Sequence, residues 1–300
     1  MSTLKFQMAN FKWQMRPAAV RQGFSMVEIL VVVSIFSVIV LALMAVFSGT
    51  QRAFRSTLTQ TGVLEGGRAT MDLITRDLRG LVPSDGAVNG AVNFLVADNG
   101  SYATPLVQSM PGGSSSRQNL LQEIFILNHY NNGWWGVAYA IGTNRQSASL
   151  ATSLYRLQCP TNGSTVTDPS TLYTNQAVQS FFANPLTNGS HLIDGVVHFA
   201  VRAYSPAGYQ INSAYTNAFP GKLSQTAFST LQGNASGMQM YSNNLPAAVE
   251  LQLGVLEDQV LAHALSLSAA SSLSYLQGQS GAVHLFRQRV SIPNVDTTAY

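Results

Sequence analysis

Residues 24–47 form an apolar run without glycine or proline, and its only charged residue is Glu28. About 20 apolar residues suffice to cross a bilayer as a helix. An ordinary anchor has no use for a carboxylate there, because an acid inside hydrocarbon costs about 2.5–3.5 kcal/mol on insertion scales. Glu28 therefore needs a partner or a task. A secretory signal peptide has a shorter apolar core followed by a small-residue cleavage site; here the run is too long and the small residue, Gly23, precedes it. A plain signal anchor accounts for the run, but for neither the Gly23-Phe24 junction nor Glu28.

The segment Gly23-Phe24-Ser25-Met26-Val27-Glu28-Ile29-Leu30-Val31 resembles the N-terminal signature of type IV pilins and type II secretion pseudopilins. The resemblance implies that a prepilin peptidase cuts between Gly23 and Phe24 and that the new N-terminal Phe24 is methylated. It further implies that Glu28 pairs with an N-terminal amine in an assembled filament. Such a pair is physically reasonable: in a low-dielectric bundle each charge compensates the other, and removing one strands its partner. The partners so implied are the prepilin peptidase, sibling minor and major pilin-like subunits, and the inner membrane.

Charge fixes an expected topology. The ionisable side chains before Phe24 are Lys5, Lys12, Arg16 and Arg21, all basic, so residues 1–23 read as a cytoplasmic leader and the bulk of the chain as exported. The leader is long for the family; Met8 and Met15 are alternative starts. The sequence pI near 9.1 owes much to this leader. Four of the 16 Lys+Arg lie in it, leaving 12 against 13 Asp+Glu in the remainder. That balance carries no basic stripe, and no direct nucleic-acid partner is expected. A single cysteine, Cys159, precludes an internal disulfide and reads as a buried thiol on an alternating segment.

The helix is expected to continue over residues 48–81, where Met71, Ile74, Leu78 and Leu81 recur at helical spacing. Arg68, Asp72, Arg76 and Arg79 fall off that stripe, and Pro83 after Gly80 supplies a stop. Gly62, Gly66 and Gly67 predict a kink or fray, since each mid-helix glycine costs about 1 kcal/mol relative to alanine. Residues 82–300 read as one β-rich globular domain. Val249, Leu251, Leu253 and Val255 alternate strictly, and Val197, Phe199, Val201 and Ala203 oppose His198, Arg202 and Tyr204 in the same manner. Residues 124–127, 135–141, 154–157 and 283–292 are further strands, with Asn131-Asn132-Gly133 as a hairpin turn. Residues 256–276 predict a helix, packed on the sheet as an insertion. The expected class is α+β, a long N-terminal helix on an antiparallel sheet.

Further stretches refine the resemblance. Residues 68–79, Leu192 to Phe199, Leu245-Pro246 before Val249, and Phe286 to Asn294 are similar to J-type minor pseudopilins and W-type minor pilins. Residues 256–276 and the loops between Ser84 and Gln122 are longer than that family suggests. The resemblance implies a tip or priming subunit of a type II secretion filament, with a type IV pilus minor pilin or a non-polymerising tethered module as alternatives. No enzyme is expected: neither a nucleophile elbow, a phosphate loop nor a paired-cysteine motif occurs, and no cofactor is implied. His191, Asp194 and His198 form the nearest cluster, with Asp194 expected to satisfy a turn rather than hold a metal. Asp85/Asn89, Asp98/Asn99 and Asp168 are too sparse for calcium, which takes six to eight oxygens. Asn99, Asn162, Asn188 and Asn234 begin glycosylation-like strings that three Asn-Gly turns would also produce. Trp134-Trp135 reads as strand core.

Overall fold

The computed structural model describes residues 23–84, 91–98, 106–110, 112, 115–131, 133–142, 152–160, 169–212, 226–231 and 235–297. The chain divides into two compact units, Met1–Arg55 and Ser56–Tyr300. In the first, the described residues are helical from Met26; this helix, α1 (Met26–Arg79), continues into the second. One helix among the described residues is thus long and apolar enough to cross a membrane.

The second unit is built on a sheet of β1 (Val92–Asp98), β4 (Gln122–Tyr130), β5 (Gly133–Gly142), β6 (Thr152–Pro160), β7 (Ser190–Tyr204), β8 (Thr226–Leu231), β9 (Ala235–Tyr241), β10 (Ala248–Leu256) and β11 (Val283–Ser291). Their order is β11-β10-β7-β6-β5-β4-β1-β9-β8, and every neighbouring pair is antiparallel. A separate hairpin pairs β2 (Val107–Ser109) with β3 (Ser116–Gln118). The class is α+β, as expected. β4 and β5 meet in a two-residue turn between the paired Tyr130 and Gly133, and Asn131 takes the positive φ (50°) that such turns require.

Both faces of the sheet are covered. Ile74, Leu78 and Leu81 are fully buried, packing with Phe94, Ile126, Tyr139, Leu251 and Leu253 on one face. Leu81 is already beyond the helix, bridged to Asn128. The opposite face carries two smaller layers. α2 (Gln176–Ala183) and α3 (Pro185–Asn188), which the sequence pattern did not reveal, bring Val178 and Phe181 onto Phe125, Ala138 and Leu157. α4 (Asp258–Ser266) and α5 (Ala269–Gln277) bring Ala264 and Leu276 onto Leu256 and Val197.

Three expectations are corrected. The helix over residues 256–276 is instead the end of β10 followed by two helices. Leu267 and Ser268 adopt extended backbone between them (ψ 161° and 157°), and Ser268 stands at the N-cap of α5, a position serine favours. Val197 does not share the face of Phe199. The register between β7 and β10 shifts after Gly254, so Val196 takes the α1-facing side and Val197 turns to the opposite layer. Just before this shift, Gly195 has φ +74°, a conformation L side chains rarely adopt.

The glycines of α1 do not break it. Gly67 is where the helix approaches β11: a Cβ there would lie 2.2 Å from the Phe286 ring. A Cβ at Gly66 would lie 3.3 Å from Ile193, whereas Gly62 has nothing within 4 Å. Gly67→Ala is expected to lower stability by about 1–3 kcal/mol through overpacking. Gly62→Ala should raise it by up to about 1 kcal/mol through helix propensity. Thermal unfolding of the detergent-solubilised chain distinguishes the two; equal effects would show that no close approach exists at Gly67.

Candidate functional site

Gly23, Phe24 and Ser25 precede the helix, and the Ser25 carbonyl accepts the first helical hydrogen bond, from the Ile29 N–H at 3.2 Å. Glu28 lies in the first turn of α1, where the exposed N–H groups favour a negative charge. Phe24 and Glu28 are four residues apart, close to one helical turn. The apolar side chains that follow are exposed; Met26 is 89% and Leu30 69% accessible.

Four hydroxyls in and just beyond the apolar stretch of this helix bond to its own backbone. Ser34 donates to the Val31 carbonyl and Ser37 to that of Val33, each at 2.8 Å. Ser48 and Thr50 do the same to Ala45 and Val46 at 2.9 Å. Such back-bonding lets a hydroxyl enter hydrocarbon without an unmet hydrogen bond. A carboxylate has no equivalent local solution, and Glu28 has no hydrogen-bond or ion-pair partner among the described residues.

The other candidates resolve into structure. Oδ1 of Asp194 accepts from Ser153 Oγ at 2.5 Å and lies 2.8 Å from His191 Nε2. These bonds hold its carboxyl below the usual range, against the opposing effect of burial. Both groups meet the acid, so the trio lacks the base-to-nucleophile contact that acyl-transfer chemistry uses. His198 is separate and buried. Its Nδ1 accepts from the Leu120 N–H at 3.1 Å, which leaves Nε2 to donate to Gln252 Oε1 at 3.3 Å. Burial lowers its pKa, in keeping with a neutral ring.

Among the described residues no group of His, Cys, Asp and Glu could hold a metal. Asp98 accepts from Gln122 Nε2 at 2.9 Å; Asp85, Asn89, Asn99 and Asp168 lie outside the described residues, as do Asn162, Asn234 and leader residues 1–22. Asn188 ends α3, with Gly189 as its C-cap. Cys159 is buried against the α2 layer, which pushes its thiol pKa up. Trp134 packs partly buried on the same layer, with its ring edge-on to His129.

Two ionisable sites of the sheet, Asp77 buried and Glu123 half-buried, escaped the sequence reading. Asp77 is 4% exposed; its Oδ2 accepts from Arg156 Nε at 2.7 Å and from the Tyr139 hydroxyl at 2.5 Å. Burial and the Asp77 charge push the Tyr139 pKa up. The signal was available: Asp77 lies three residues after Ile74, on the buried stripe. Arg156→Met leaves Asp77 buried with its charge uncompensated, an expected loss of about 3–5 kcal/mol in denaturant unfolding. Loss of less than about 1 kcal/mol would mean that water already reaches Asp77.

Glu123, on β4 beside β1, is the second. Burial pushes its pKa up to about 8 from the ordinary 4.5. Between those values the unfolded chain releases a proton that the folded chain keeps, so stability falls as pH rises through that window. Glu123→Gln removes this loss: its melting temperature should match the parent near pH 4.5 and exceed it increasingly toward pH 8. A difference independent of pH would refute the shifted titration.

Neither a curated protein nor a solved structure matches the chain. Residues 19–44 match the family described as the prokaryotic N-terminal methylation motif, a span that contains Gly23, Phe24 and Glu28. Together, the motif and the one helix of membrane length among the described residues point to a structural, membrane-anchored protein, and the match supports a type IV pilin-like protein processed by prepilin peptidase.

Proposed function

We propose that this chain is the precursor of a minor pilin-like subunit that works at or near the tip of a type II secretion filament. The peptidase would cut between Gly23 and Phe24, Phe24 would be methylated, and the released helix would pack with those of sibling subunits. The leader would be cytoplasmic and the sheet-bearing unit would lie on the far side of the inner membrane. The observation that carries this reading is Glu28, a lone carboxylate in the first turn of an apolar helix where Ser34, Ser37, Ser48 and Thr50 bond to backbone carbonyls and Glu28 has no such partner among the described residues. An N-terminal amine of a neighbouring subunit would supply the missing charge. The tip assignment rests on the resemblance to J-type pseudopilins and on the size of the second unit, Ser56–Tyr300.

Mass spectrometry of the mature protein should show an N-terminal N-methyl-Phe24; any other start sinks the processing step. Glu28→Ala should still be inserted and cleaved, yet enter filaments at least about tenfold less efficiently, as expected for a stranded buried charge. Normal incorporation of that variant would remove the role of Glu28. Failure of the unaltered, processed chain to enter any filament would favour a non-polymerising tether, and incorporation into a long surface fibre a type IV pilus.

A further inference from the structure

β11 closes one end of the nine-stranded sheet and pairs on one side with β10. The pairing is continuous and its phase is fixed at both ends. The Ile292 N–H donates to the Ala247 carbonyl at 3.0 Å, and the Glu257 N–H to that of Ala282 at 3.0 Å. In an antiparallel pair bonded residues alternate. Residues 284, 286, 288 and 290 therefore direct their N–H and C=O groups toward β10. Those of Leu285, Arg287, Arg289 and Ser291 point outward, where no strand pairs with them among the described residues.

The side chains of these same four residues are exposed. Register then gathers charge beside them. Glu250 on β10 stands opposite Arg289 and, on its other side, opposite Arg202 of β7; Arg287 is opposite Gln252. Glu250 is saturated: Oε2 accepts from Arg287 Nη2 at 2.9 Å and from the Tyr204 hydroxyl at 3.4 Å, and Oε1 accepts from Gln252 Nε2 at 2.7 Å. Arg202 approaches only to 3.9 Å, and Arg289 lies over the Tyr204 ring at 4.3 Å. Two guanidiniums thus share one buried carboxylate, and the third, Arg289, lies on the neighbouring ring with no acid of its own among the described ion pairs. In a chain whose residues 24–300 hold 12 basic side chains against 13 acidic ones, this is a local excess of positive charge.

We propose that the outer edge of β11 docks an extended acidic segment of another polypeptide, added as a further strand. The open backbone groups would supply the ladder. Carboxylates at alternate positions of the incoming strand would match the two-residue spacing of Arg287 and Arg289, whose planar forks suit them. A second copy of β11 is the wrong occupant, since it would set arginine against arginine. This proposal is independent of the filament reading and of Gly23/Phe24 processing.

The test uses the full chain in detergent and a seven-residue peptide of alternating valine and glutamate. Binding should weaken with salt and should fall at least about tenfold when glutamine replaces every glutamate. Amide exchange at Leu285, Arg287 and Arg289 should slow when the peptide is added. Arg289→Glu, which spares the Arg287–Glu250 bond, should lose the acidic peptide and gain a lysine-for-glutamate version, with β10 amide protection reporting an intact fold. Equal binding of the glutamine peptide, binding without amide protection, or binding only to vesicles of phosphatidylglycerol would overturn the proposal. So would the absence of binding together with self-association of Arg289→Val, which would make the arginines guards of an idle edge.

Discussion

Ile74, Leu78 and Leu81 give up all solvent contact to the sheet, and the rest of the second unit is arranged around that burial. Each such side chain contributes about 1.5–3 kcal/mol relative to exposure. Apolar contact is non-directional, however, and would tolerate sliding or rotation of the helix. Asp77 removes that freedom. It lies on the same face and is also buried, so its charge is tolerable only where Arg156 and Tyr139 both reach it. The stripe provides the driving force, and the ionic network supplies the register. Gly67 then sets how closely the helix can approach β11.

Much of this was legible because its cause is periodic. The 3.6-residue stripe of α1 and the strict alternation of β10 needed no tertiary information. Where reading failed, a tertiary contact overrode a local rule. Gly67 looks like a helix defect from propensity alone, and only the position of Phe286 makes it a fitting point. Val197 alternates correctly with Phe199 in sequence, but the register shift after Gly254 moves it to the other face. The 256–276 segment has helical spacing throughout, yet β10 claims its first residue and Ser268 interrupts the remainder. Asp77 was hidden for a simpler reason: a carboxylate on an apolar stripe is discounted unless its partner, 79 residues away, is known.

The candidate sites differ in legibility for the same reason. Glu28 declares itself because all its context is local: a glycine, an aromatic residue and an apolar run on one short segment. The β11 edge does not, because Arg202, Arg287 and Arg289 meet Glu250 only through pairings across β7, β10 and β11. His191, Asp194 and His198 show the converse. They look like a cluster in sequence, but His198 is drawn inward by Leu120 and Gln252 while His191 and Asp194 stay at the surface.

β7 has one further consequence. Its first half pairs with β6 and its second half with β10, and where it leaves β6 the start of β4 comes to meet it. The Phe199 N–H donates to the Leu120 carbonyl at 2.7 Å, the Val201 N–H to Gln122 Oε1 at 2.7 Å, and Leu121 bridges Phe199. Strands β4, β5, β6 and β7 therefore return to their own beginning and form a ring of contacts inside an otherwise open sheet. A ring cannot be peeled from one end. Any one of these strands must release two neighbours before it can leave, whereas β11 and β8, at the sheet's two margins, each have one strand neighbour to release.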